Sequence, residues 1–151
     1  MRKFLIILDD TPEMLNAIRY AAIRASKTGG AIEMLGVISA EDFQPFMGVA
    51  DVMRAEARET LEAHFQVFKS RLEKREGLTP TLVIREGERI DAIIEHIRSD
   101  PEIGVLVLGA GTEKGPGPLV AALTGRRMNE LHVPITIVPG GMTKEEITAV
   151  S

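Results

Sequence analysis

VLVLGAGTEKGPGPLVAALTGRRMNELHVPITIVPG, residues 105–140, is the stretch that decides the fold. An apolar run, 105–108, breaks into a loop of glycines and prolines. A predicted helix over 119–131 follows, then a second apolar run, 135–138. Strand, glycine loop, helix and strand in that order is the repeating unit of a parallel sheet, because a crossover helix is what carries the chain back to the same end of its neighbour.

The same alternation runs outward toward the N-terminus. Residues 4–8 and 31–38 read as strands, the first ending in Asp9-Asp10-Thr11-Pro12. Asp10 or Thr11 is placed to cap a helix opening at Pro12, where the missing N–H costs nothing. Leu15, Ile18, Ala22 and Ala25 recur at helical spacing, and Gly29-Gly30 stops them. A long helix to about Arg75 carries the stripe Met53, Ala57, Leu61, Phe65, Phe68 and Leu72. A strand over 81–84 and a helix over 88–98 complete the set. Five strands alternating with helices predict an α/β fold with three layers: a five-stranded parallel open sheet of Rossmann-like type, helices on both faces. Residues 1–140 are expected to form one domain and 141–151, which lack an apolar stripe, a C-terminal tail.

Composition narrows the function. The chain has 151 residues, 18 Lys+Arg against 22 Asp+Glu, no Cys, no Trp and one Tyr. The acidic balance and the lack of stacking aromatics argue against nucleic acid, and thiol chemistry is excluded. No segment approaches the roughly 18 apolar residues of a membrane span, so a cytoplasmic protein is expected. His64, His96 and His132 fall on predicted helices without metal-ligand spacing and read as surface or half-buried side chains. No serine sits in a nucleophile elbow. No catalytic set and no metal site is expected.

Ligands of open parallel sheets bind beyond the carboxyl ends of the strands, where strand order reverses. Scrutiny therefore falls on Asp9, Asp10 and Thr11, on Val37 to Ala40, on Arg85 to Glu88, and on the loop from Gly109. Gly109, Gly111 and Gly115 directly after a strand are the material of a phosphate cradle. Residues 109–127 carry a local charge of +2 within a chain of −4. Arg126 is either a bidentate phosphate ligand or a solvated helix residue. Asp9 and Asp10 allow one side chain to cap the helix while the other faces the cleft, and the pair is compatible with Mg²⁺ alongside phosphates.

Leu8-Asp9-Asp10-Thr11, the Gly87 turn in Arg85-Glu86-Gly87-Glu88, and the ending His132-Val133-Pro134-Ile135-Thr136-Ile137-Val138 together resemble the universal stress protein (UspA-like) family over residues 2–139. The resemblance implies an adenine-nucleotide site, with ATP as its ligand, Asp9 near the adenosine and the backbone of Val37 against the base. The family's ATP-binding branch carries G-x2-G-x9-G-[ST]. Here Gly115-x9-Gly125 keeps the second spacing, five residues separate Gly109 from Gly115, and Arg126 replaces the hydroxyl residue. Pro116 and Pro118 remove two backbone donors from the loop.

The expected function is a stress-response regulatory module that binds nucleotide at the loop after the fourth strand, with at most slow ATP hydrolysis. It is expected to form a homodimer through the edge of the last strand, where Ile135, Ile137 and Val138 are apolar, and to serve an unidentified regulatory protein partner. The alternative is a dimeric interaction protein of the same fold that binds no nucleotide, presenting Phe43, Phe46 and Met47.

Overall fold

The computed structural model describes residues 2–39 and 49–151. The strands are β1 (Lys3–Ile7), β2 (Ala31–Ile38), β3 (Thr81–Glu86), β4 (Ile103–Ala110) and β5 (Ile135–Pro139). They pair in parallel in the order β3-β2-β1-β4-β5, so the chain reverses its direction of travel across the sheet between β1 and β4. That is the predicted α/β open sheet. The cluster Phe43, Phe46 and Met47 lies outside the described residues.

Central β1 is apolar at successive positions because both its faces are covered. Ile6 packs with α1 (Met14–Thr28), α2 (Val49–Arg75) and α5 (Lys144–Val150) around Ala21, Phe65, Phe68 and Ile147. Leu5 and Ile7 face α3 (Arg89–Ser99) and α4 (Pro118–Thr124) around Ile93, Leu106 and Leu123. Gly36 lets α2 come close to the sheet, since a Cβ there would sit 2.9 Å from Leu61 Cδ1.

Four sequence expectations are corrected. Neither Asp10 nor Thr11 caps α1. The helix begins at Met14 after a turn through Pro12 and Glu13, and no side chain caps it. The predicted helix 119–131 is two pieces, α4 and a 3₁₀ turn, Arg126–Glu130, with Gly125 between them. Residues after Gly141, expected as a tail, include a helix. Thr143 and Glu146 form a reciprocal capping box that starts α5, and Ile147 is fully buried against α1. Asn16 of α1 secures the preceding turn by donating to the carbonyls of Pro139, Gly140 and Met142, each at 3.1 Å.

The fourth correction concerns His96, which is 4% exposed. Arg85 Nε donates to its Nδ1 at 2.9 Å, so the ring proton sits on Nε2 and faces Glu33 Oε2 at 2.7 Å. Glu33 also accepts from Lys3 Nζ at 3.2 Å. Burial pushes the Glu33 carboxyl up, but the bonds from His96 and Lys3 outweigh it and leave the group below its ordinary range. Arg85 reaches this set from the carboxyl end of β3, and none of its members lines either carboxyl-edge cavity.

Candidate functional site

At the carboxyl edge, β1 and β4 diverge over a small cavity of about 40 Å³ lined by Asp9, Thr11, Glu13, Arg89, Gly109, Pro116 and Gly117 among others. A wider cavity of about 430 Å³ adjoins it, lined by Ser39, Glu88, Arg89, Ile90, Pro118, Leu119 and Ala122. Arg89, Pro118 and Leu119 belong to both walls. The combined space has the size of a small-molecule site, roughly 300–1,000 Å³, and lies at the switch point. A larger open trough, about 1070 Å³, runs under the amino ends of the strands past Arg2, Gly30 and Pro134. Parallel sheets place ligand chemistry at the other end, where the turn glycines and Arg89 are.

Asp9 is half-buried. Its Oδ1 accepts from Thr11 Oγ1 at 2.6 Å and from Thr11 N at 3.2 Å, an Asx-type turn that holds the carboxylate over the inner cavity. Burial pushes its carboxyl above the ordinary range. The Thr11 bonds and the Arg89 charge oppose that shift, and the Glu13 charge adds to it. Asp10 points away: its exposed Oδ1 lies 3.7 Å from His64 Nε2 on α2. The two aspartates therefore do not converge, and a Mg²⁺ shared by the pair, which their adjacency allowed, does not fit. Among the described residues no cluster of three or more His, Cys, Asp or Glu could hold a metal.

The glycine loop is closed on itself, with Glu13 beside it. A Cβ on Gly109 would lie 2.1 Å from Glu13 O, so β4 leaves the sheet pressed against the start of α1. Gly111 N donates to Pro116 O at 3.0 Å, closing the loop on itself, and Gly115 and Gly117 adopt φ of 78° and 96°. Glu13 Oε1 stands 3.3 Å from where a Gly111 Cβ would be and 3.8 Å from that of Gly117. A carboxylate thus stands beside the loop, and Pro116 and Pro118 contribute no N–H donors to it.

Of the residues singled out in the sequence, Asp9, Thr11 and Gly109 come together at the inner cavity, with Gly111 beside Glu13. Gly115 is exposed in the loop. Val37 is buried, and β1 pairing ends at Ile7 with Leu35, so Val37 lies past the end of β1 without lining either cavity. Gly125 and Arg126 lie at the far end of α4, whose seven residues span about 10 Å, and line neither cavity. Arg127, next to them, is held by Asp91 at 2.7 Å and Glu130 at 2.6 Å.

Two residues of the site escaped the sequence reading. Glu13 looks like an ordinary first-turn acid at a helix start. Arg89 stands one residue beyond the β3–α3 turn. Glu88 turns its carboxylate onto the N–H groups of Ile90 and Asp91 and caps α3, which leaves Arg89 as the first helical residue over the cleft. Arg89 makes no hydrogen bond or ion pair among the described residues and is the one cation in their lining of the two cavities.

Comparison with known proteins agrees with this architecture. The sequence model of the Universal stress protein family matches residues 1–139. No curated protein matches the chain by sequence. Among solved structures, the universal stress protein UspA from Lactobacillus plantarum superposes with a TM-score of 0.70 at 18% identity, covering 91% of this chain and 97% of that one. A universal stress protein in complex with cAMP gives 0.63 at 19% identity, covering 91% and 96%. A universal stress protein family protein from Arabidopsis thaliana with AMP bound gives 0.59 at 13%, covering 92% of each. At these identities the structures speak for the fold, and it is the family match over nearly the whole length that assigns the sequence: the chain belongs to the universal stress protein family.

Proposed function

We propose that the chain is a stress-response regulatory module that binds an adenine nucleotide across the two adjoining cavities. The observation that carries this reading is their position: they meet at the β1/β4 switch point, with a half-buried carboxylate, Asp9, on one side and apolar walls on the other. Ile90, Pro118, Leu119 and Ala122 offer a purine an apolar bed, Ser39 supplies a polar edge beside it, and Asp9 faces the ribose hydroxyls. The AMP and cAMP named for two structural relatives are of this ligand class.

In this reading the protein works as a cytoplasmic homodimer. β5 is an edge strand and Ile137 on it is 39% exposed, a position suited to pairing with a second copy. A regulatory protein reads the nucleotide-bound state. No helix among the described residues is long and apolar enough to cross a membrane.

The first test is to purify the protein without added ligand, denature it, and assay the supernatant for adenine nucleotide, alongside thermal shifts with adenosine, AMP and cAMP. Co-purified nucleotide or a saturable upward shift is the expected result. An empty supernatant together with no shift at millimolar ligand sinks the reading and leaves the ligand-free interaction module.

A further inference from the structure

The charges around the two cavities are unevenly matched. On the inner side stand the carboxylates of Asp9 and Glu13, with Glu13 Oε1 3.3 Å from where a Gly111 Cβ would be. On the outer side the Glu88 carboxylate is committed to the N–H groups of α3. Arg89, between the two, has its charge in reach of Asp9 but forms no hydrogen bond or ion pair among the described residues. A planar guanidinium left unpaired at the junction of two cavities is a ready bidentate donor for one phosphate.

We infer that this site selects nucleotides carrying a single phosphate, held by Arg89 at the junction of the cavities, and turns away polyphosphates because the Glu13 carboxylate stands at the glycine loop. The inference rests on the adenine-nucleotide reading above. A monophosphate reaches Arg89 from the outer cavity and leaves the loop untouched. A triphosphate has to run on into the loop, where it meets the Glu13 carboxylate, two prolines without N–H groups, and the Gly111 N–H already given to Pro116. Of the other cations near the loop, Arg127 is engaged by Asp91 and Glu130 and Arg126 is beyond α4, which leaves Lys114, exposed within the loop and flanked by Glu113.

Calorimetric titration of adenosine, AMP, cAMP and ATP into the full chain and three variants tests this. In the unaltered protein AMP or cAMP is expected to bind more tightly than adenosine and about tenfold more tightly than ATP. Arg89→Ala is expected to bring the monophosphates down to the adenosine level, a loss of about tenfold, with adenosine unchanged and Arg89→Lys intermediate. Glu13→Gln keeps the shape of the side chain and is expected to raise ATP affinity about tenfold, with a smaller effect on AMP. Thermal unfolding of each variant verifies that it is folded, and Arg89 has no hydrogen-bond or ion-pair partner to lose among the described residues. ATP binding as tightly as AMP in the unaltered protein, or Arg89→Ala leaving monophosphate affinity intact, overturns the inference while the adenine site stands. Absence of binding by adenosine as well as by every nucleotide overturns the site itself.

Discussion

Gly109 and Glu13 are in such close contact that the carbonyl oxygen of one occupies the space a side chain on the other would need: a Cβ at 109 would lie 2.1 Å from Glu13 O. Backbone meets backbone there, so no rotamer change relieves the clash. Gly109→Ala is expected to destabilise the protein by about 3 kcal/mol, near the upper end for overpacked sites, read as a lower urea midpoint with an unchanged slope. Gly115→Ala, in open space but at φ of 78°, is expected to cost about 1 kcal/mol.

Asp9→Asn is expected to move stability and binding in opposite directions. Burial raises the Asp9 carboxyl above its ordinary range in the folded chain, so the folded state holds that proton more tightly than the unfolded state does. Stability from this group is therefore lost as pH rises from the ordinary carboxylate value through the raised one. At neutral pH the amide keeps the acceptor for Thr11 and removes the buried charge. A higher melting temperature with weaker AMP binding is the expected pair of results, measured by thermal scan and titration, and the gain in melting temperature should vanish below pH 4.

Glu33→Ala is expected to cost about 1–3 kcal/mol, because it leaves the buried His96 Nε2 without its acceptor, while Lys3 Nζ keeps Asp100 at 2.7 Å. The folded Glu33 carboxyl lies below its ordinary range. Its contribution is thus complete above the unfolded value and fades as pH falls through the folded one. Urea titrations at pH 7 and pH 3 should show the difference between variant and parent shrinking in acid.

Ile147→Ala is expected to cost about 3 kcal/mol, as for other large-to-small changes at fully buried sites, although the residue lies close to the end of the chain. Hydrogen exchange should then quicken across residues 144–150 before it does so in β1.

On the proposed homodimer, Ile137→Lys is expected to give monomer in sedimentation where the parent chain sediments as a dimer, without lowering the melting temperature of the subunit, since the side chain is 39% exposed on the edge strand. A variant that remains dimeric places the interface elsewhere.

The strands were legible because each carries a largely apolar run: β2 occupies the predicted 31–38, and β4 runs two residues past the predicted run at either end. Helix breaks were less so. Leu119, Val120, Leu123 and Leu131 keep helical spacing across Gly125, and only the structure shows the backbone leaving the helix there. α5 was invisible because it buries one side chain in its seven residues, too few for a periodic signal, and depends on Asn16 and a capping box. Within the site, Asp9, Thr11 and Gly109 followed from the rule about carboxyl ends. Glu13 and Arg89 did not, because each resembles an ordinary charged residue at a helix start until the crossing of β4 over α1 and the capping of α3 by Glu88 decide where they sit.

Asn16 lines neither cavity at the carboxyl edge, yet its amide divides two protons among three carbonyls of the β5–α5 connection. Aspartate has no proton to give there, leucine has the bulk but no donor, and glutamine is one methylene too long. A substitution survey will therefore score position 16 as intolerant as any ligand contact. The intolerance will be a signature of masonry, a keystone at the chain's last joint, and mapping the binding site by mutational sensitivity alone would wrongly include it.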